Sequence, residues 1–227
     1  MSPAKISKPV LEALSASLHR VLPDARLSIS DLPDLPELRL WLLDPQNLDR
    51  AFAGEETRRL LQEPPYWGFC WGSGLALARW ILDHPETVRG KRVLDFGSGS
   101  GVVALACSLA GASSSIACDL DPQAQLACKL NAELNNQQLI CAADYFAVSG
   151  PLDLILAADV LYDADNRHFL DHFVTRADSV LLADSRVRDL QHASYKRENM
   201  LAGRTWPDLG EPAEFRQISL YRAVQTA

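Results

Sequence analysis

"RVLDFGSGSGVVAL", Arg92 to Leu105, decides how this chain is read. An apolar run of strand type carries Asp95 near its end, glycines follow at Gly97, Gly99 and Gly101, and an apolar run of helical type comes next. A strand that turns through tight glycines into a helix opens a βαβ unit. From Gly99 the spacing also spells G-x-G-x-x-A, the pattern of a dinucleotide-binding turn. The carboxylate two residues before the first glycine raises the question of what this turn would hold.

Downstream, strand-like and helix-like runs alternate. "SSIACDLD" reads as a strand, "PQAQLACKLNAELNN" as a helix, "QLICAAD" and "PLDLILAADVLYD" as strands, "ADNRHFLDHFVTRA" as a helix and "SVLLADS" as a fifth strand. "EFRQISLYRAV" reads as a closing strand. Continuous apolar strands separated by helices predict an α/β fold, a doubly wound and mostly parallel Rossmann-like sheet, with ligands at the carboxyl ends of its strands. Residues 91–227 form that predicted core. Residues 1–90 read as an N-terminal, largely helical extension: "LPDLPELRLWLLDP" is partly extended, "NLDRAFAGEETRRLLQEP" a polar helix and "GSGLALARWILDHP" an amphipathic helix ending at Pro85. The extension is expected to pack on the core and to help form the site's mouth.

At 227 residues, 48% hydrophobic and 22% charged, the chain has the make-up of a soluble globular protein. Its 22 Lys and Arg against 29 Asp and Glu leave a net charge of −7, so no basic field draws a phosphate backbone and nucleic acid is not an expected partner. Neither a membrane span nor a signal peptide is predicted. Lys5, Lys8 and Arg20 against Glu12 give the N-terminus a weak organelle-targeting alternative to a plain amphipathic helix. Cys70, Cys107, Cys118, Cys128 and Cys141 lack C-x-x-C spacing and sit mostly in apolar runs, which predicts reduced thiols and a cytoplasmic location. His168 and His172 share a helix face without a clear third ligand, so no metal is expected.

Charge narrows the ligand. A pyrophosphate on the glycine turn would face Asp95, and two unit charges 4 Å apart interact by roughly 4 kcal/mol at an effective dielectric near 20. That expectation disfavours NAD or FAD. S-adenosylmethionine has no phosphate but carries an ammonium and a sulfonium, to which the same carboxylate is attractive. Asp119, about 20 residues beyond the turn, suits ribose hydroxyls, and Asp144 ends the next strand where an adenine amino group would lie. Asp121, just before Pro122, is expected to be a helix N-cap.

"VLDFGSGSG", "ACDLDP" and "DLILAADVLYD" resemble the motifs of class I, seven-β-strand methyltransferases. With "LPELRLWLL" and "PPYWGFCWGSGLALARWILDHPETVRG", the region from Leu32 to Asp184 resembles the lysine methyltransferases that modify the electron transfer flavoprotein beta subunit, including their bacterial relatives. The resemblance implies S-adenosylmethionine as cofactor, with Asp95, Gly97, Ser98, Gly99 and Gly101 at its methionine end. It implies Asp119 and Leu120 at the ribose, Asp144 and Tyr145 on the adenine side, and Trp71 closing over the cofactor. Asp159 and Tyr162 would face the methyl-accepting nitrogen, and the expected protein is a monomer acting on a protein lysine. The alternatives are a small-molecule N-methyltransferase and a non-catalytic cofactor-binding module.

One departure bears on the acceptor. The family's Asp-Pro-Gly-Arg turn after the fifth strand is replaced by "ADSRVRDL", which keeps Asp184 and Arg186, and the segment to Met200 is a candidate for a different acceptor loop. "EPPYW", Glu63 to Trp67, imitates the box of nucleic-acid amino-methyltransferases, but it precedes the glycine strand, and Asp159 already holds the fourth-strand position. It is expected to be only an aromatic lead into the helix near Gly74. Trp41 and Trp80 are expected in the core.

Overall fold

The structure is a computed structural model and describes residues 7–47 and 50–224. The targeting alternative rests partly on residues 1–6, Lys5 among them, which lie outside the described residues.

The N-terminal part starts with α1 (Lys8–Val21), which has Pro9 in its first turn and His19 and Arg20 in its last, where the helix dipole favours them. A hairpin pairs β1 (Leu27–Asp31) with β2 (Arg39–Leu43). There follow α2 (Gly54–Gln62), which buries none of its residues, and α3 (Gly72–Asp83), which buries most of them.

The main sheet is built from β3 (Arg92–Phe96), β4 (Ser114–Cys118), β5 (Ile140–Ala142), β6 (Leu152–Ala158), β7 (Ala177–Asp184), β8 (Lys196–Ala202) and β9 (Gln217–Val224). Their spatial order is β5-β4-β3-β6-β7-β9-β8, parallel from β5 to β7, with β9 antiparallel to β7 and β8 antiparallel to β9. The helices α4 (Val102–Leu109), α5 (Pro122–Leu134) and α6 (Phe169–Arg176) make the crossovers. From β3 the chain moves outward to β4 and β5, then returns to β6 on the other side. That reversal opens a crevice at the carboxyl ends of β3 and β6.

Period-two alternation distributes the core. Leu154 and Leu156 of β6 pack with Leu77 and Ile81 of α3 and Val103 and Leu105 of α4, while Ile155 and Ala157 pack with Leu170 and Phe173 of α6. Each face of the sheet is therefore sealed, and the continuous apolar strands follow from that. One hydrophobic cluster thus runs across residues 90 and 91, because α3 is a full member of the helical layer.

A further cluster joins Leu14 and Leu18 of α1 and Trp67 to Ala124, Ala127 and Leu130 of α5. Asn131, fully buried on α5, accepts from the Trp41 N–H at 2.7 Å and donates to the Ser100 carbonyl at 2.9 Å. It ties the hairpin edge to the glycine turn. Asn135, one helical turn on, accepts from the Arg39 N–H at 3.0 Å.

Several local expectations are corrected. The helix expected from Ala164 begins as a 3₁₀ turn (Ala164–His168) and becomes α only at Phe169; the closing strand begins at Gln217, after another 3₁₀ turn (Ala213–Arg216). The segment reaching Met200 is not an acceptor loop there: Lys196–Ala202 is a strand on the far edge of the sheet. Trp41 and Trp80 are only partly buried, and Trp67 is the one sunk in a core. The five cysteines are free, with Cys141 alone partly exposed. Among the described residues no helix is long and apolar enough to cross a membrane.

Candidate active site

A cavity of ≈890 Å³ lies at the carboxyl ends of β3, β4 and β6. Gly97, the first residue after β3, has φ +68, and a Cβ there would stand 2.9 Å from Val160 Cγ1 in the loop after β6. Only glycine lets the two loops touch. Gly101, φ +82, caps α4, where a Cβ would meet Cys128 Sγ at 3.0 Å.

Four amide groups of the turn, those of Gly97, Ser98, Gly99 and Gly101, are engaged within the protein. Gly97 and Ser98 N–H both donate to the Cys118 carbonyl at 2.9 and 3.1 Å, Gly99 N–H donates to Asp119 Oδ2 at 2.8 Å, and Gly101 N–H donates to the Ser98 carbonyl at 2.7 Å. An anion-binding turn needs such donors aimed at the ligand. Here Gly97, Ser98, Gly99 and Gly101 donate within the protein, Gly99 to the Asp119 carboxylate, which disfavours a phosphate at the turn.

Asp95 does not face the cavity, contrary to the sequence expectation. It is 2% exposed, accepts from the Ala104 N–H at 3.1 Å, and sits beneath the turn against the start of α4. Alternation along β3 sends Asp95 to the α4 side and Phe96 into the cavity. Burial, reinforced by the nearby Asp119 charge and opposed by the Ala104 N–H, pushes its pKa up to about 8. Ser98 and Gly101 also lie behind the cavity wall; Gly97, Gly99, Asp119, Leu120, Asp144, Tyr145, Trp71, Asp159 and Tyr162 line it.

Asp119 accepts the Gly99 N–H on Oδ2 and the Asp121 N–H on Oδ1 at 2.9 Å, leaving each oxygen a second acceptor direction on a residue that lines the cavity. Burial raises its pKa against those two hydrogen bonds. Asp121 caps α5, accepting from the Gln123 N–H at 2.8 Å, and also lines the cavity. Asp144 caps a short turn through the Phe146 N–H at 2.9 Å. Tyr145 beside it packs edge-on against Phe96, Phe169 and Phe173, and its hydroxyl is buried without a partner.

At the other end, Asp159 stands half-buried at φ +50, its carboxylate bonded to Ser73 and Ser185. Tyr162 is 55% exposed, its ring 5.8 Å from that of Tyr66, which is 5.7 Å from that of Trp71. The Trp71 indole N–H donates to the Tyr66 carbonyl at 2.9 Å. Tyr66 and Trp67 of "EPPYW" therefore line the cavity rather than only leading into α3, which starts at Gly72 as the quoted run does.

Arg186, Thr205, Glu211 and Phe215 complete this end. No local signal announces the last three: Cys70 and Trp206 exchange backbone hydrogen bonds of 2.7 and 2.8 Å, which folds the segment before β9 over the start of α3. Phe96, the last residue of β3, and Tyr66 also line the cavity and were not among the site residues expected from the sequence. Asp119, Asp121, Asp144, Asp159, Asp163 and Glu211 make the lining acidic, and its cation, Arg186, lies 4.7 Å over the Phe215 ring. His168 and His172 are exposed with rings 5.8 Å apart, and among the described residues no group of three or more His, Cys, Asp or Glu is placed to hold a metal.

Residues 79–164 match the family model of ribosomal protein L11 methyltransferase (PrmA). The electron transfer flavoprotein beta subunit lysine methyltransferase of Mus musculus is 38% identical over 157 residues, 66% of this chain and 60% of that protein. Its Danio rerio counterpart is 46% identical over 110 residues, 46% of this chain and 43% of that protein. The chain thus spans about 60% of the mouse relative's length in the match.

Among solved structures, the ribosomal protein L11 methylase of Lactobacillus delbrueckii subsp. bulgaricus superposes with TM-score 0.51 at 20% identity, covering 78% of this chain and 82% of that one. Magnesium protoporphyrin IX methyltransferase of Synechocystis PCC 6803 with bound SAM gives 0.52 at 18% identity, covering 78% and 86%. At such identities these two bear on the fold alone. The chain therefore has the seven-strand methyltransferase fold and, over part of its length, is similar to the ribosomal protein L11 methyltransferase family and to the electron transfer flavoprotein beta subunit lysine methyltransferases.

Proposed function

We propose that the chain is an S-adenosylmethionine-dependent protein-lysine N-methyltransferase, with the electron transfer flavoprotein beta subunit as its candidate acceptor. The cavity fits the cofactor on three counts. The amides of Gly97, Ser98, Gly99 and Gly101 are engaged and Asp119 disfavours a phosphate, Asp119 keeps two acceptor directions for ribose hydroxyls, and Asp144 and Tyr145 line the same cavity for an adenine. When bound, the cofactor supplies a methyl group on a positively charged sulfur.

The observation that carries the acceptor assignment is the mouth. Leu120, Phe146, Tyr162 and Tyr66 are 81%, 63%, 55% and 45% exposed and line the same cavity as the acidic residues. Exposed apolar and aromatic surface beside carboxylates suits a cationic side chain presented by another protein. A lysine, with a reference pKa of about 10.4, is neutral in only about one molecule in a thousand at pH 7.4. The chain's task is to bring the amine in as a cation, align it and let a proton go to water. Burial raises the Tyr162 pKa, so its hydroxyl stays protonated at neutral pH and orients the nitrogen through hydrogen bonds rather than acting as a phenolate base. Asp159 offers the acceptor for an amine N–H. The free thiols support a reducing, cytoplasmic setting.

Radiolabelled methyl transfer into a native proteome, with mass spectrometry of the labelled band, tests the proposal. A labelled lysine in a protein supports it; label confined to small molecules, or cofactor binding without S-adenosylhomocysteine product, refutes it.

A further inference from the structure

Asp159 is a non-glycine residue in left-handed backbone, φ +50, which persists only where the surroundings over-determine it. Here those surroundings are two serines. Ser73, the second residue of α3, donates its N–H to Asp159 Oδ2 at 3.0 Å and its hydroxyl to Oδ1 at 2.6 Å. Ser185, the first residue after β7, donates its hydroxyl to Oδ1 at 2.8 Å and its N–H to Oδ1 at 3.3 Å. Oδ1 is therefore saturated, whereas Oδ2 holds one donor and keeps an acceptor direction. Both serines are buried, at 0% and 7% exposure; Ser73 stands on α3 and Ser185 directly follows the last residue of β7.

We infer that Ser73 and Ser185 are positioning residues for methyl transfer: together they clamp the Asp159 side chain so that Oδ2, and not Oδ1, meets the N–H of the acceptor nitrogen. The inference rests on the N-methyl transfer proposed above. Ser185 falls where the "ADSRVRDL" turn departs from Asp-Pro-Gly-Arg, and a proline there would have neither hydroxyl nor N–H to donate. Asp184 holds the turn without that proline, accepting from the Arg186 and Val187 N–H groups, both at 2.8 Å. The altered turn thereby becomes half of the clamp. Ser73 supplies the other half from 86 residues away in sequence.

The test uses the full chain and the protein that wild type labels. Ser73→Ala, Ser185→Ala, the double variant and the hydroxyl-keeping Ser185→Thr are compared for kcat and KM, S-adenosylmethionine affinity by calorimetry, and thermal midpoint. A carboxylate displaced by about 1 Å costs on the order of 100-fold in rate, so the double variant should lose roughly that in kcat. Its cofactor affinity should stay at the wild-type value, and Ser185→Thr should keep most of the rate that Ser185→Ala loses. If the double variant does not fold, the Ser185→Thr and Ser185→Ala comparison gives the same split. Wild-type kcat in folded alanine variants, loss only in proportion to cofactor affinity, or no difference between Thr and Ala at 185 overturns the clamp. Wild type that labels no protein refutes the transferase reading instead, and the clamp's role with it.

Discussion

Gly97→Ala tests the contact on which the site's two halves depend. An alanine at φ +68 costs about 1–2 kcal/mol for left-handed backbone alone. Its Cβ would also stand 2.9 Å from Val160 Cγ1, well inside the roughly 3.5–4.0 Å at which carbon atoms attract. Val160 is 5% exposed and immediately follows Asp159, so it has little room to retreat without moving the acceptor loop. Overpacking of this kind costs about 1–3 kcal/mol, making the expected total about 2–5 kcal/mol and the fall in Tm on the order of 4–20 °C for a chain of this size. Urea denaturation of Gly97→Ala, Val160→Ala and the double variant separates the parts. Val160→Ala removes the opposing methyl groups, so the double variant should be less destabilised than the summed single variants by about 1–3 kcal/mol, while the backbone cost stays. Strict additivity would refute the steric argument.

Stability should fall as pH rises. Asp95, with its folded-state pKa raised to about 8, contributes stability that is complete below its unfolded pKa and is lost as pH climbs through 8; Asp119 and Asp184 are raised in the same direction. One such group gives a slope of up to about 1.4 kcal/mol per pH unit, so the urea midpoint should drop from pH 5 to 8 and Asp95→Asn should flatten the curve; an equal slope in the variant sinks this account. Asp119→Ala should weaken S-adenosylmethionine binding by about 3 kcal/mol, roughly 100-fold by calorimetry, whereas Asp95→Asn should leave it almost unchanged. Similar losses in the two would mean that the buried carboxylate, not Asp119, faces the ligand. Tyr162→Phe keeps the ring facing Tyr66 and should lower kcat on the order of tenfold by losing one hydrogen bond. Tyr162→Ala should also raise KM for the protein acceptor, and equal KM in both variants counts against an aromatic mouth.

The sheet was legible because its signals are local. The apolar runs of β3, β6 and β7 and the amphipathic α3 recur in the structure, with element starts shifted by a few residues where 3₁₀ turns replace the first helical or extended residues, as before α6 and β9. The three-residue β5 shows how little of "QLICAAD" pairs. Asp119, Asp144, Asp159 and Tyr162 line the same cavity, since each follows a parallel strand and such strands end on one side of a sheet. Asp95 broke the pattern because it lies within β3 rather than after it, and so obeys the strand's alternation.

By itself, then, the order of residues determined the parallel α/β core, the glycine turn and the series of acids beyond strand ends, because hydrophobic period, positive-φ positions and helix caps act over a few neighbouring residues. Only the folded chain decided which oxygen of Asp159 is free, that Asp95 is buried and Phe96 is not, and that Tyr66, Thr205 and Phe215 share one cavity. Those outcomes depend on contacts between segments far apart in the chain, such as Cys70 with Trp206 and Ser73 with Asp159, and no local pattern specifies which distant segments will meet.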